Sequence, residues 1–369
     1  MLRLLAGAAV LALAMPMSAA ALAMPGGAIP AAGEMDRFID AQLEALEMPG
    51  VSVALIEDGE IVYARQTGQA DYWSDRVIDE KSIFEMGSLS KPVFAYFTLK
   101  LADQGVIDMD RPLMEVRPIP ELADSAAFAT ITPRHVLSHR TGLPNWRWFD
   151  PRPEGLDVPR GQLYLRQEPG TFGYSGEGFR YLAETIAATT GHDLFNLDAL
   201  FQYQVAQPLG LQPMSFVATP EVSRHKVAGH KDGARNIKAW PQTFPDDQPQ
   251  TFGAAGRLHA NAPLYARFLI ALMEGEGLSE DAHEAMFTSA VTIAEDDPGR
   301  LAGGEVGWTM GLSIKDGPGG RHFAHGGNNG DFQSGFAIWP ATRSGYVFVT
   351  NSDKGEAFEA ALQDLLFAD

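Results

Sequence analysis

Phe84-Glu85-Met86-Gly87-Ser88-Leu89-Ser90-Lys91-Pro92 sets a hydroxyl and an amine three residues apart at the mouth of a long apolar helix. Pro92 is tolerated in a first helical turn, Val93, Phe94, Phe97 and Leu101 recur at helical spacing, and Gly105 supplies the stop. Ser88 is therefore placed near a helix N-terminus. Unpaired backbone N–H groups and the positive end of the peptide dipole there favour the negative charge that develops when a serine attacks a carbonyl. Lys91 shares the face of Ser88 and, once desolvated, can lose its proton and act as a base. Ser90 is a competing nucleophile, but it lies about 100° around the helix from Lys91. Taken alone, the tetrapeptide equally describes the capped start of a surface helix.

The chain has 369 residues, enough for one large two-lobed unit or two domains. With 45% hydrophobic and 20% charged residues it belongs among globular proteins, not disordered or fibrous ones. A formal net charge of −19 repels phosphate backbones and anionic lipid, so neither nucleic acid nor a membrane surface is an expected partner. Cysteine is absent, which excludes disulfides and thiolate metal sites. Met1-Leu2-Arg3, the apolar run Leu4 to Met17 and the small residues Ala21-Leu22-Ala23 predict a secretory signal peptide over residues 1–23 and a periplasmic or secreted mature protein. Pro16 breaks that run short of the roughly 20 residues a membrane span needs, so no stable insertion is expected after cleavage.

Met35, Phe38, Ile39, Leu43 and Leu46 predict a first helix that stops before Pro49-Gly50. Val51, Val53 and Leu55 alternate, Asp58-Gly59 turns, and Ile61 to Ala64 returns as a second strand. The far end mirrors this, with strands over Phe332 to Trp339 and Tyr346 to Thr350, a turn at Thr342 to Gly345, and a closing amphipathic helix through Phe358, Leu362 and Leu365. Both chain ends thus supply one sheet-and-helix layer. The middle is helical: Thr132 with Pro133 opens a helix expected to end at Gly142, Gly178 to Thr190 forms another, and Asn261 caps a third from Ala262 to Met273. The long loops Pro144 to Glu168 and Trp240 to Gly256 carry Trp146, Trp148, Phe149, Trp240 and Phe244; they are expected to rim a cleft, with packing into the core as the alternative.

Two further elements lie outside the first motif. Tyr174-Ser175-Gly176 precedes a helix and could present a phenol to a pocket or bury it against a backbone carbonyl. His325-Gly326-Gly327-Asn328 is expected to open the strand near Phe332, its glycines permitting close approach of another backbone; a plain hairpin turn is the alternative.

These three elements, in this order, resemble the motifs of the serine β-lactamase and penicillin-binding superfamily, in its class C-like group of D-alanyl-D-alanine carboxypeptidases, D-aminopeptidases and esterases. Supporting stretches are Ile131 to Leu143, Ala254 to Leu258 and Glu305 to Leu312. The resemblance implies an α/β (α+β) serine β-lactamase-like fold: an antiparallel sheet flanked by helices, with an inserted, mainly helical domain. The sheet domain would comprise residues 24–84 with 255–369 and the helical one residues 85–254, the active site lying between. It also implies Ser88 as the acylated nucleophile, Lys91 as its proton acceptor and Tyr174 as the shuttle to the leaving group. His325, Gly326 and Gly327 would bind the substrate's edge, and the N–H groups of Ser88 and Asn328 would form the oxyanion hole. No cofactor or metal is implied; the partner is a small-molecule or peptide substrate, and the oligomeric state is open.

Two departures bear on substrate. Gly176 stands where β-lactamases of this class usually carry asparagine, and His325 stands in place of a lysine, so the charge facing a substrate carboxylate is reduced. Both point to an esterase, a peptidase on D-amino-acid substrates or a transacylase. Among rivals, Gly173-Tyr174-Ser175-Gly176-Glu177 misplaces the second glycine of an α/β-hydrolase elbow. His135 and His139 have zinc-motif spacing but lack its glutamate, and read as helix-packing histidines. A sensor or binding module of the same fold that is acylated without turnover is the remaining alternative.

Overall fold

The computed structural model describes residues 27, 29–235, 247–297, 301 and 303–367. The expected signal peptide, Trp240 and Phe244 lie outside the described residues. The helix Ala32–Ala45 leads into a hairpin of β1 (Gly50–Glu57) and β2 (Glu60–Gly68). Asp58 and Gly59 both take positive φ at its turn, the conformation that matches the twist of two antiparallel strands. The short strand β3 (Phe84–Glu85) precedes the helix Ser90–Asp103. Past the small hairpin β4 (His230–Lys231) and β5 (Ala234–Arg235), strand β6 (His259–Ala260) pairs with β3. The chain then lays down β7 (Val291–Thr292), β8 (Glu305–Trp308), β9 (Ser313–Gly317), β10 (Gly320–Asn328), β11 (Gln333–Trp339) and β12 (Ser344–Thr350).

Eight of these strands form one sheet in the order β2-β1-β12-β11-β10-β9-β8-β7, antiparallel throughout. The chain ends meet at β1 and β12, where Val51 pairs with Thr350 and Leu55 with Tyr346. Alternation sends Val51, Val53 and Leu55 to one face, where Met35 and Ile39 of the first helix and Phe358 and Leu362 of the C-terminal helix (Gly355–Leu366) cover them. Ala54 and Ile56 point to the other face and join the main core under the helices Ala262–Glu274 and Ser90–Asp103. The latter helix is buried on every side from Ser90 to Leu99, as expected of a helix that is apolar all round.

The sheet is larger than the sequence pattern indicates. His325-Gly326-Gly327 closes a preceding strand, β10, rather than opening the strand near Phe332, and His325 pairs across to Phe336 of β11. Glycine-rich segments carry little strand propensity of their own, so β10 is held by its two neighbours. The helix opened by Thr132 is also shorter than expected, running only from Pro133 to Leu137. Ser138 Oγ bonds back to the Arg134 carbonyl and His139 takes φ +54°, which turns the chain well before Gly142.

Candidate active site

Ser88 lies in the turn just before the helix Ser90–Asp103, and Lys91 lies in its first turn. Lys91 Nζ is 3.1 Å from Ser88 Oγ and donates to the Ala255 carbonyl at 2.7 Å. The lysine is fully buried, its ammonium nitrogen 4.7 Å from the centre of the Tyr174 ring and 5.6 Å from that of Phe179. Among the described residues no carboxylate pairs with it, and burial alone lowers its pKa from 10.5 to about 7. Ser90 is spent on structure: its Oγ donates to the Gly87 carbonyl at 2.6 Å and accepts from Leu258 N at 2.8 Å.

Tyr174 reaches the same point from the helical side. Burial raises the pKa of its phenol, and the Ser88 side chain beside it partly offsets that rise. The helix that follows, Gly176–Thr190, is capped by Ser175 Oγ, which accepts from Gly178 N at 3.0 Å and donates to the Pro144 carbonyl at 2.8 Å. Asn145 Oδ1 accepts from Gly176 N, and Arg147 forks onto the fully buried Glu177 at 2.7 and 2.9 Å. The residues flanking Trp146 are therefore fixed. A Cβ on Gly176 would lie 2.3 Å from the Trp146 ring, so the indole excludes any side chain there.

The far wall is the end of β10. A Cβ on Gly327 would lie 2.3 Å from the Met86 carbonyl, and one on Gly87, which has φ +53°, would lie 2.8 Å from Asn328 N. Only glycines allow the turn before Ser88 and the strand to cross this closely. The crossing brings the backbone nitrogens of Ser88 and Asn328 to one place, and Ser334 Oγ braces it by donating to the Met86 carbonyl at 2.8 Å. His325 sits beside it with Nδ1 2.7 Å from the Gly326 carbonyl, so Nδ1 carries the proton. Burial, with help from Lys91, lowers its pKa to about 3, which leaves the imidazole neutral.

His139 is the neighbour that the sequence pattern misassigns. It does not pack along a helix: its ring stacks on Tyr174 with centroids 4.2 Å apart, and Nδ1 accepts from Ser175 N at 3.0 Å. His135 instead completes the capping box of Thr132, so the two histidines serve separate ends of one turn. Trp308 meets His139 and His325 edge-on at 4.8 and 5.4 Å. A cavity of about 610 Å³ opens beside Tyr174 and His325, walled by Phe172, Trp308, Arg166 and Glu305. In the described part of the second long loop, Phe252 stacks on Phe216 at 4.4 Å, so this part packs into the core rather than rimming the cleft. Among the described residues no group of three His, Asp or Glu side chains is arranged to hold a metal ion.

The profile of the Beta-lactamase family matches residues 35–369. The chain belongs to the Beta-lactamase family. It is similar to the esterase EstB of Burkholderia gladioli, with 30% identity over 61% of this chain and 61% of EstB. Penicillin-binding protein 4 of Amycolatopsis lactamdurans is 25% identical over 88% of this chain and 86% of its own. The fold also superposes on the D-amino acid amidase of Ochrobactrum anthropi SV3 with a TM-score of 0.69 and 21% identity, over 90% of this chain and 97% of that one.

Proposed function

We propose that the protein hydrolyses esters through an acyl-enzyme on Ser88. The observation that carries this reading is the 3.1 Å contact between Ser88 Oγ and a buried lysine whose pKa falls to about 7. At neutral pH much of Lys91 is the free amine, a base poised near the operating pH. Ser88 attacks the carbonyl as Lys91 takes its proton. The oxyanion forms against the N–H groups of Ser88 and Asn328, and the alkoxide leaves with a proton relayed by Tyr174. Water then attacks the acyl-enzyme, the relay runs in reverse, and the acid is released.

Preference for esters over substrates that carry a carboxylate rests on His325. A neutral imidazole offers no cation to a carboxylate from the strand edge, and the Trp146 ring over Gly176 leaves no room at that position for a side-chain amide to grip an acylamido group. The similarity to EstB favours the same branch. Export by a signal peptide over residues 1–23, and the division into a sheet domain (24–84 with 255–369) and a helical domain (85–254), belong to this reading. Among the described residues no helix is long and apolar enough to cross a membrane.

The test is a parallel assay of a short-chain p-nitrophenyl ester, a chromogenic cephalosporin and a D-alanyl-D-alanine peptide. The ester should be turned over fastest by at least tenfold; a faster cephalosporin or peptide would overturn the substrate assignment. Stoichiometric labelling of the protein without turnover of any ester would favour the sensor instead.

A further inference from the structure

Asn329, next to the residue whose N–H completes the oxyanion pair, has no place in the relay, yet its side chain joins three separate parts of the site. Its Nδ2 donates to Glu85 Oε2 at 2.9 Å and to the Gly256 carbonyl at 3.2 Å. Glu85 lies three residues before Ser88, on β3. Gly256 follows Ala255, whose carbonyl holds Lys91. The backbone of Asn329 continues from Asn328 and is pinned by its own N–H to the Phe332 carbonyl at 3.0 Å. One amide therefore ties the nucleophile turn, the lysine's acceptor and the oxyanion strand, across 244 residues of sequence on one side and 73 on the other.

The acceptor is a fully buried carboxylate, which makes the bond charge-assisted and stronger than one between neutral groups. Lys226 Nζ lies 2.9 Å from the other Glu85 oxygen, an ion pair that balances the carboxylate's charge. Gly87 and Gly327 permit the backbones to cross but cannot hold them in register. The clasp supplies that hold together with the Ser334–Met86 bond.

We propose that Asn329 is a positioning residue for acyl transfer, its amide fixing the Ser88 and Asn328 N–H groups and the Lys91 acceptor relative to one another. This rests on the reading of Ser88 as the nucleophile. The test compares the wild-type chain with Asn329→Ala and the milder Asn329→Ser on p-nitrophenyl butyrate, each normalised to the amount of folded protein. Both should lose kcat, by about 10²-fold for alanine, the usual effect of disturbing one oxyanion donor. KM should stay within about threefold. The acidic limb of kcat/KM should also move towards alkaline pH, because a loosened Ala255-Gly256 segment lets water reach Lys91. A purely structural bond would lower the melting temperature and leave kcat, KM and the pH limb in place, and that result in either folded variant would overturn the proposal. Mass spectrometry of the wild type separates the two readings: if Ser88 carries no acyl group there, the nucleophile assignment fails whatever Asn329 does.

Discussion

Replacing Lys91 with methionine should abolish turnover while making the protein more stable at neutral pH. The side chains are similar in length, and the site is fully buried without an opposing carboxylate among the described residues. In the unfolded chain the lysine keeps a pKa near 10.5; in the fold it is about 7. Between those values the unfolded state binds one proton more than the folded state, so wild-type stability rises with pH there, by about 1.4 kcal/mol per unit. The deficit at pH 7 is about 4 kcal/mol, and it vanishes as pH passes the unfolded pKa. Methionine removes that deficit but leaves the Ala255 carbonyl without its donor, at a cost of about 1–3 kcal/mol. The net gain at pH 7 is therefore about 1–3 kcal/mol. Urea unfolding of both proteins at steps from pH 7 to 9.5 reads this directly. The advantage of the variant should shrink steadily as pH rises and change sign towards the alkaline end. A variant less stable at pH 7, or a difference that does not vary with pH, would refute the claim that Lys91 is held neutral by burial.

Tyr174→Phe keeps the ring against His139 and deletes the hydroxyl, so kcat on an ester should fall about 10²- to 10⁴-fold with little change in KM; an unchanged kcat in steady-state assays removes Tyr174 from the relay. Gly176→Asn forces a side chain into the Trp146 ring and should cost about 1–3 kcal/mol by denaturant unfolding, whereas the added Trp146→Ala should recover most of it. His325→Lys places a cation at the strand edge and should raise the ratio of peptide to ester hydrolysis; a ratio that stays put would show that this position does not select for the carboxylate. The pH profile of kcat/KM should rise with an apparent pKa near 7, because the reactive form of Lys91 is the unprotonated one.

The outer layer of the fold was readable because its strands alternate and its helices are amphipathic: Val51, Val53 and Leu55, and Phe358 with Leu362, each declare one buried face. The helix carrying Lys91 was readable from Pro92 and its apolar run, whereas the position of Tyr174 left a pocket-facing phenol and a buried one both open, and only the family resemblance gave it a role. What could not be read was set by contacts distant in sequence. Strand β10 carries two adjacent glycines just before its last residue, Asn328, and depends on its neighbours for its conformation. His139 looked helical from its spacing to His135, but the bond from Ser138 to Arg134 ends the helix first and sends the imidazole against Tyr174. Glu85 offered one signal: a carboxylate inside an apolar strand-like run needs a buried partner. Nothing local identifies that partner as Asn329. The exclusion at Gly176 likewise depends on a loop 30 residues away in sequence, clamped by the Arg147–Glu177 pair.

Intact-mass and peptide mass spectrometry of the protein, quenched in acid during turnover of p-nitrophenyl butyrate, shows whether Ser88 is the residue that is acylated. One butyryl group is expected on the peptide containing Ser88, present during turnover, gone when the ester is exhausted, and absent from Ser88→Ala. An acyl group on Ser90 or Ser175, or full ester hydrolysis by Ser88→Ala, would contradict it.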